Sequence, residues 1–359
     1  MRAVAVRGTE FRCYPHVEVE LPPGLVGVVG PNGAGKTALI EMIHFGLLGY
    51  SPRTSNEAQV VRFGSEVARV ETRAEAGGRD VAVEIGYRPG EPKRVTVDGA
   101  PERSMERLLA RFPVLVFTPD RLRLVQGPPA LRRTYFDRIL ARLWPVLAAQ
   151  SSEYGRRLAQ RNHLLRRVRA GAAGGDALEP WDTLLAEAAE QLIAARARLV
   201  SRLADPFARR LAELGGDPGA EPLRYQPNIA PGTSVASVLR ERRTRDVERA
   251  VTGAGPHLDD VMLLEHERDL RLYGSQGEQR RALLALLLAE ADLLAEERDE
   301  LPLLLLDDVT GELDADRRAL LLSAVEPFQQ TIVTTTDRAD LGSRGAAVLT
   351  VEAGMVAAA

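Results

Sequence analysis

The chain has 359 residues, 45% of them hydrophobic and 27% charged, with a formal net charge of −3. That is enough to bury one large core or two smaller ones, and the ordinary balance excludes a disordered or collagen-like chain. One cysteine, Cys13, excludes an internal disulfide and fits a reducing compartment, while the small net charge leaves any basic surface to be local.

The opening MRAVAVRGTEFR has no apolar segment of the kind a secretory signal needs. Short valine-rich runs follow, at Ala3–Val6, Val17–Leu21 and Leu25–Val29. They read as strands. Directly after the third comes Gly30-Pro31-Asn32-Gly33-Ala34-Gly35-Lys36-Thr37, a G-x-x-x-x-G-K-T loop, and then a helix-forming run from Ala38 to Leu48. A strand before the loop and a helix after it are the context in which this pattern binds phosphate. Glycines let backbone N–H groups turn inward around an anion, and the helix N-terminus adds its dipole. Lys36 is expected on the β- and γ-phosphates of ATP, and the Thr37 hydroxyl on Mg²⁺. Lys36 and Lys93 are the only lysines of the chain. A glycine-rich turn of this composition arising by chance is therefore a weak competitor.

Val67–Ala74, Val81–Tyr87 and Arg94–Val97 read as antiparallel strands between Gly and Pro turns, and Val114–Phe117 as a last short strand. Pro128-Pro129 then opens a helical region with Leu131, Tyr135, Ile139, Leu143 and Leu147 near one face, kinked at Pro145. After the turn Gly171–Gly175, Trp181–Leu214 runs back with Leu185, Ala188, Leu192, Ala195, Leu199 and Leu203 in one stripe. Two helices of ~35 residues form a hairpin reaching roughly 50 Å. Residues 128–170 carry ten arginines against Asp137 and Glu153. Such a local excess suits a phosphate backbone, and without interleaved aromatics it suits sequence-independent contact. Arg156, Arg157 and Arg161 are the candidate DNA contacts; a merely solvated helix surface is the competing reading.

The Gly- and Pro-rich stretch 215–232 reads as a return connection, and sheet-forming sequence resumes after Val251. Ser275-Gln276-Gly277-Glu278 opens a helix. It is a capping box, with Ser275 at the N-cap and Glu278 turned back onto the Ser275 N–H. Capping does not account for Gly277, a poor helix former. A second anion site does. The phosphate loop already surrounds its own nucleotide, so Ser275, Gln276 and Gly277 are expected to meet the γ-phosphate held by another molecule. Farther on, Leu303–Leu306 reads as a strand buried on both faces, ending in Asp307-Asp308. Asp307 stands where a carboxylate supports Mg²⁺, and Asp308 where one orients the attacking water. Thr331–Thr335 is a further strand, and the tail from Val356 to Ala359 is expected to fray.

A phosphate loop, a helix-opening serine–glycine element and an apolar strand ending in two acids, with a helical insertion between them, resemble the ABC-type ATPases of the SMC-like group. Phe11-Arg12, SPRTSNEAQVVRFG (51–64), FTPDRLRLVQGPPALRRTYFDRIL (117–140), PHLDDV (256–261), YGSQGEQRRALLALLLAEADLL (273–294), LLLLDDVTGELD and TIVTTTD (331–337) resemble the RecF family of bacterial recombination mediators. These stretches span most of the chain. The family usually has Gln at the position of Glu278, and ABC ATPases at large have Glu at that of Asp308.

The resemblance implies an α/β fold: an ABC-type P-loop ATPase head of mixed sheet and helices, formed by residues 1–124 and 250–359, with an inserted, coiled-coil-like helical arm lobe at 125–249. It implies a cytoplasmic protein without a membrane partner that binds ATP and dimerises around it; Thr37 and Asp307 add Mg²⁺, and the short side chain of Asp308 suggests slow hydrolysis. It also implies binding of double-stranded DNA and gap junctions, and action with RecR, and indirectly RecA, in DNA repair, replication, recombination and the SOS response. Two rival readings remain at this point: a nucleotide-binding subunit of an ABC transporter, and a non-hydrolysing clamp that ATP switches.

Overall fold

The computed structural model describes residues 1–311, 313–342 and 345–358. The chain divides into two compact units. One comprises 1–122, 210–216 and 280–359, the other 123–209 and 217–279.

The first unit holds two six-stranded sheets. In one, β1 (Arg2–Phe11) pairs antiparallel with β2 (Tyr14–Glu20) and with β4 (Ala68–Ala76). The sheet continues through β5 (Arg79–Tyr87) and β6 (Arg94–Val97) to the two-residue β7 (Ala100–Pro101). In the other, β3 (Gly24–Val29) lies between β13 (Gln330–Thr335) and β14 (Ala347–Glu352). Beyond β13 come β12 (Leu303–Leu306) and β8 (Val114–Phe117), all parallel. An antiparallel β15 (Met355–Ala358) closes the far edge. This strand corrects the expected fraying of the tail: 356–358 are paired with β14, and Ala359 lies outside the described residues.

Burial follows the sequence pattern. All four leucines of β12 are buried, as in a strand covered on both faces. Helix α1 (Lys36–Leu48) buries nearly every residue and packs with both sheets, and the small α2 (Met105–Arg111) lies against it. The alanine- and leucine-only stretch 282–289 of α9 (Gln276–Arg298) is wholly buried, the condition a helix apolar on every side requires. α10 (Ala315–Val325) is N-capped by the Asp314 side chain.

The second unit is mainly helical. After the single turn α3 (Arg123–Gln126) come α4 (Pro129–Leu143) and α5 (Pro145–Arg169). Pro145 does not kink one helix, as the sequence suggests; it starts a new one. Trp144, at φ −130° and ψ 82°, is driven out of the helical region by the proline after it, and Pro145 takes the first helical position, where its missing N–H costs nothing. The outgoing arm helix is thus 25 residues long, while α6 (Glu179–Glu213) has the expected 35. The stripe Leu185, Ala188, Leu192, Ala195, Leu199 and Leu203 is buried. A third antiparallel sheet contains β9 (Leu223–Gln226), β10 (Asp260–Glu265) and β11 (Arg268–Asp269). Helix α7 (Val235–Arg249) and the single turn α8 (Leu270–Tyr273) complete the unit. Residues 250–279, expected with the ATPase lobe, group here because β10 pairs with β9 and packs with α4.

Candidate nucleotide site

Three parallel strands deliver the site. β3 runs into the phosphate loop, β12 ends at Asp307-Asp308, and β13 ends at Thr334-Thr335 beside them. The register explains why these distant segments meet: Leu306 is paired with Val333 and Thr335 with Val29.

Within the loop, Gly35 has φ 119°, a conformation that side chains rarely adopt, and a Cβ there would lie 2.6 Å from the Tyr14 hydroxyl. A Cβ on Gly30 would meet the Val351 carbonyl oxygen at 2.2 Å. Gly35 is therefore required by its backbone conformation, and Gly30 by the close approach of the β14 backbone. Lys36 folds over the loop, donating to the carbonyl oxygens of Gly30 (2.7 Å) and Pro31 (3.0 Å). Burial lowers its pKa, and the nearby Asp308 and Asp307 carboxylates oppose that shift.

The Thr37 hydroxyl donates to Asp307 Oδ1 at 3.0 Å, and the Thr334 hydroxyl donates to the same oxygen at 2.8 Å. Asp307 is buried, and burial raises its pKa against the two hydroxyl bonds. Asp308 is exposed, with φ 49°, and its N–H donates to the Thr334 hydroxyl at 2.8 Å. The turn after β12 thus sends one acid inward and the next outward. The Thr37 hydroxyl and the Asp307 carboxylate are hard oxygen donors brought together beside Lys36 at the N-terminus of α1. This donor set fits a small divalent cation that shares its shell with phosphate oxygens.

A cleft of about 890 Å³ opens at this point. Asn32, Gly33, Gly35, Lys36, Thr37, Asp307, Asp308 and Thr334 line one part of it. The rest is walled by residues to which the sequence attaches no role, among them Arg12, Arg53, Arg62 and Phe63. Arg12 occupies the two-residue turn between β1 and β2 at φ 53°. Its guanidinium makes a paired contact with Glu41 of α1, at 2.8 and 2.6 Å. Glu41 is fully buried and also accepts from the Ser51 hydroxyl (2.5 Å) and from Arg53 (3.4 Å). Phe63 is 100% exposed. The segments 11–12 and 51–64 stand out in the sequence, but their place at the cleft depends on strand pairing that no local pattern encodes.

The helix-opening element belongs to the second unit. The capping box forms as the sequence indicates. The Ser275 N–H donates to the Glu278 carboxylate at 2.7 Å, and the Glu278 N–H donates to Ser275 Oγ at 3.3 Å. Gln276 and Gly277 are its first helical residues.

The candidate DNA contacts separate into two kinds. Arg156 is exposed and paired with Glu153, and Arg157 pairs with Glu153 and Glu187. Arg161 is 0% exposed. It donates to Asp182 (2.7 Å), Asp246 (2.8 Å) and the Thr252 hydroxyl (2.8 Å). The expectation that Arg161 contacts DNA is corrected: its guanidinium is spent inside the helical unit, compensating two buried carboxylates.

The RecF/RecN/SMC N-terminal domain model matches residues 4–353. The DNA replication and repair protein RecF of Heliobacterium modesticaldum is 37% identical over 345 residues, which cover 94% of this chain and 92% of that protein. A solved structure of the recombination mediator protein RecF-ATP of the RecFOR pathway is similar with a TM-score of 0.88 and 27% identity, over 99% of this chain and 97% of that one. An Smc head bound to the C-terminal winged-helix domain of ScpA, with a TM-score of 0.59 and 15% identity, shares the fold. The architecture is the ABC-type ATPase head of these proteins, and among the described residues no helix is long and apolar enough to cross a membrane. With its family model spanning nearly the whole chain and a relative 37% identical matching over 94% of it, the chain belongs to the RecF family of DNA replication and repair proteins.

Proposed function

We propose that this chain is an ATP-dependent DNA-binding protein of recombinational repair, which binds ATP with Mg²⁺, dimerises around it and clamps DNA at junctions of double and single strand. The observation that carries the reading is the convergence of Lys36, Thr37 and Asp307 at the mouth of one cleft. Backbone N–H groups of residues 33–37 and Lys36 bind the phosphates. Thr37 and Asp307 would hold Mg²⁺, which neutralises charge on the phosphate oxygens when bound. Arg12, Arg53 and Phe63 face the remainder of the nucleotide. Asp308, exposed beside Asp307, orients the water for slow hydrolysis. Ser275, Gln276 and Gly277 close on the γ-phosphate of a second copy.

The similarity to RecF-ATP supports nucleotide binding, and the exposed arginines of the helical unit support a DNA backbone partner. RecR, and through it RecA, are the protein partners this reading assigns, in the cytoplasm. The deciding measurement is sedimentation with ATP, with ADP and without nucleotide, each with Mg²⁺. A dimer with ATP alone is expected. A monomer under all three conditions removes the clamp.

A further inference from the structure

In the helical unit, α5, α6 and α7 pack around a buried ionic core. Asp182 of α6 accepts from Arg161 of α5 and from Arg243 of α7, and Asp246 of α7 accepts from Arg161. The Thr252 hydroxyl, just after α7, donates to Asn162 of α5 at 2.7 Å. Val247 of α7 packs against the buried cluster of Leu164 and Leu165 of α5 with Leu178. The final turns of α5 and the second half of α7 are therefore neighbours.

This core takes up acids facing inward and leaves arginines facing out. Arg166 and Arg169 stand three apart on α5, and Arg245 and Arg249 four apart on α7, spacings that place each pair on one helix face. All four are exposed, and among the described residues none has a hydrogen bond or ion pair of its side chain. The exposed acids of α7, Glu241 and Glu248, form no ion pair with them. A rigid scaffold holding four unpaired guanidiniums is arranged for an external anion.

We infer that Arg166, Arg169, Arg245 and Arg249 form a docking surface for the phosphate backbone of duplex DNA. The inference rests on the DNA reading above and places its contacts away from Arg156, Arg157 and Arg161. A protein interface of ordinary kind needs an apolar centre. The large exposed apolar side chain nearest in sequence to the α7 pair is Val251 alone, and no exposed aromatic accompanies the four arginines. Guanidiniums without aromatic companions fit phosphate oxygens, which they can engage with two donors each, and offer no face on which unpaired bases would stack.

The test is duplex binding across a salt series, by the full chain with ATP and Mg²⁺. The variants are Arg166→Glu with Arg169→Glu, Arg245→Glu with Arg249→Glu, and the same positions changed to Lys. Each lost phosphate contact flattens the log–log salt slope by about 0.9, so each Glu pair is expected to reduce it by about 1 to 2. The Lys variants, which keep the charge, are expected to retain the slope and report on folding. ATP-dependent dimerisation serves as a second control. An unaltered slope in Glu variants that still dimerise overturns this surface alone. Loss of an acidic protein partner with DNA binding intact reassigns the surface to that partner and also overturns it. A wild-type chain without DNA binding removes the parent reading.

Discussion

On the proposed reading Lys36, Thr37 and Asp307 act on ligand more than on the core, although all three are held by the fold. Lys36→Ala removes a side chain whose bonds are two loop carbonyls, so it is expected to fold normally and lose at least tenfold in ATP affinity. Equilibrium binding of a fluorescent ATP analogue checks it, and wild-type affinity in a folded variant would refute the assignment of Lys36. Asp307 makes a sharper case. Burial holds its folded pKa above the unfolded value, so between the two the native state binds the extra proton. Its contribution to stability is therefore unfavourable once pH exceeds the folded pKa and disappears below the unfolded one. Asp307→Asn removes that burden. Without nucleotide it is expected to melt no lower than wild type near neutral pH, and to lose wild type's stability decline as pH rises through the folded pKa. With ATP it should forfeit the Mg²⁺-dependent part of its stabilisation. A variant that melts lower without ligand, yet keeps the Mg²⁺ response, would place the metal elsewhere.

At the scale of elements, legibility depended on whether the signal was local. The β3–loop–α1 unit and the β12 leucines with their two acids are continuous in sequence, and both appear where the pattern places them. The Ser275–Glu278 box is equally local. Arg161 shows the opposite case. Its helix is legible, but its burial depends on Asp182 and Asp246, 21 and 85 residues away, and ten arginines in a row of turns look alike until their partners are placed. Arg12, Arg53 and Phe63 were out of reach for the same reason. Arg161→Ala should cost about 3 to 5 kcal/mol, because it leaves the buried Asp246 without its cationic partner and Asp182 with Arg243 alone. Arg156→Ala, on the surface of the same helix, should leave the melting temperature close to unchanged. Urea denaturation of both distinguishes them, and equal losses would mean that the buried network is not what orders these helices. The cap admits a similar comparison: Ser275→Ala should lower stability by about 0.5 to 2 kcal/mol through the lost cap.

For the whole molecule, the proposed clamp gives a reason for the sequence separation of Ser275–Gly277 from the phosphate loop. On the proposed reading, the two helix starts, more than two hundred residues apart on one chain, serve a single nucleotide when each γ-phosphate is shared by two copies related by a twofold axis. ATP then joins the copies and ADP, lacking that phosphate, does not. Ser275→Arg places a long cation at the helix start, where on this reading it fills the space of the partner's phosphate. It is expected to bind ATP with near wild-type affinity as a monomer and to fail to dimerise. Ser275→Ala separates the cap from this effect, since it lowers stability without blocking the approach. Asp308→Asn keeps shape and removes the carboxylate proposed to orient water, so it should dimerise with ATP and remain closed long after wild type has reopened. Sedimentation of the three variants with ATP, followed over time, reads all of this at once. If Ser275→Arg dimerises like wild type, or loses ATP binding as a monomer, the helix start serves its own chain and the clamp must close by other contacts.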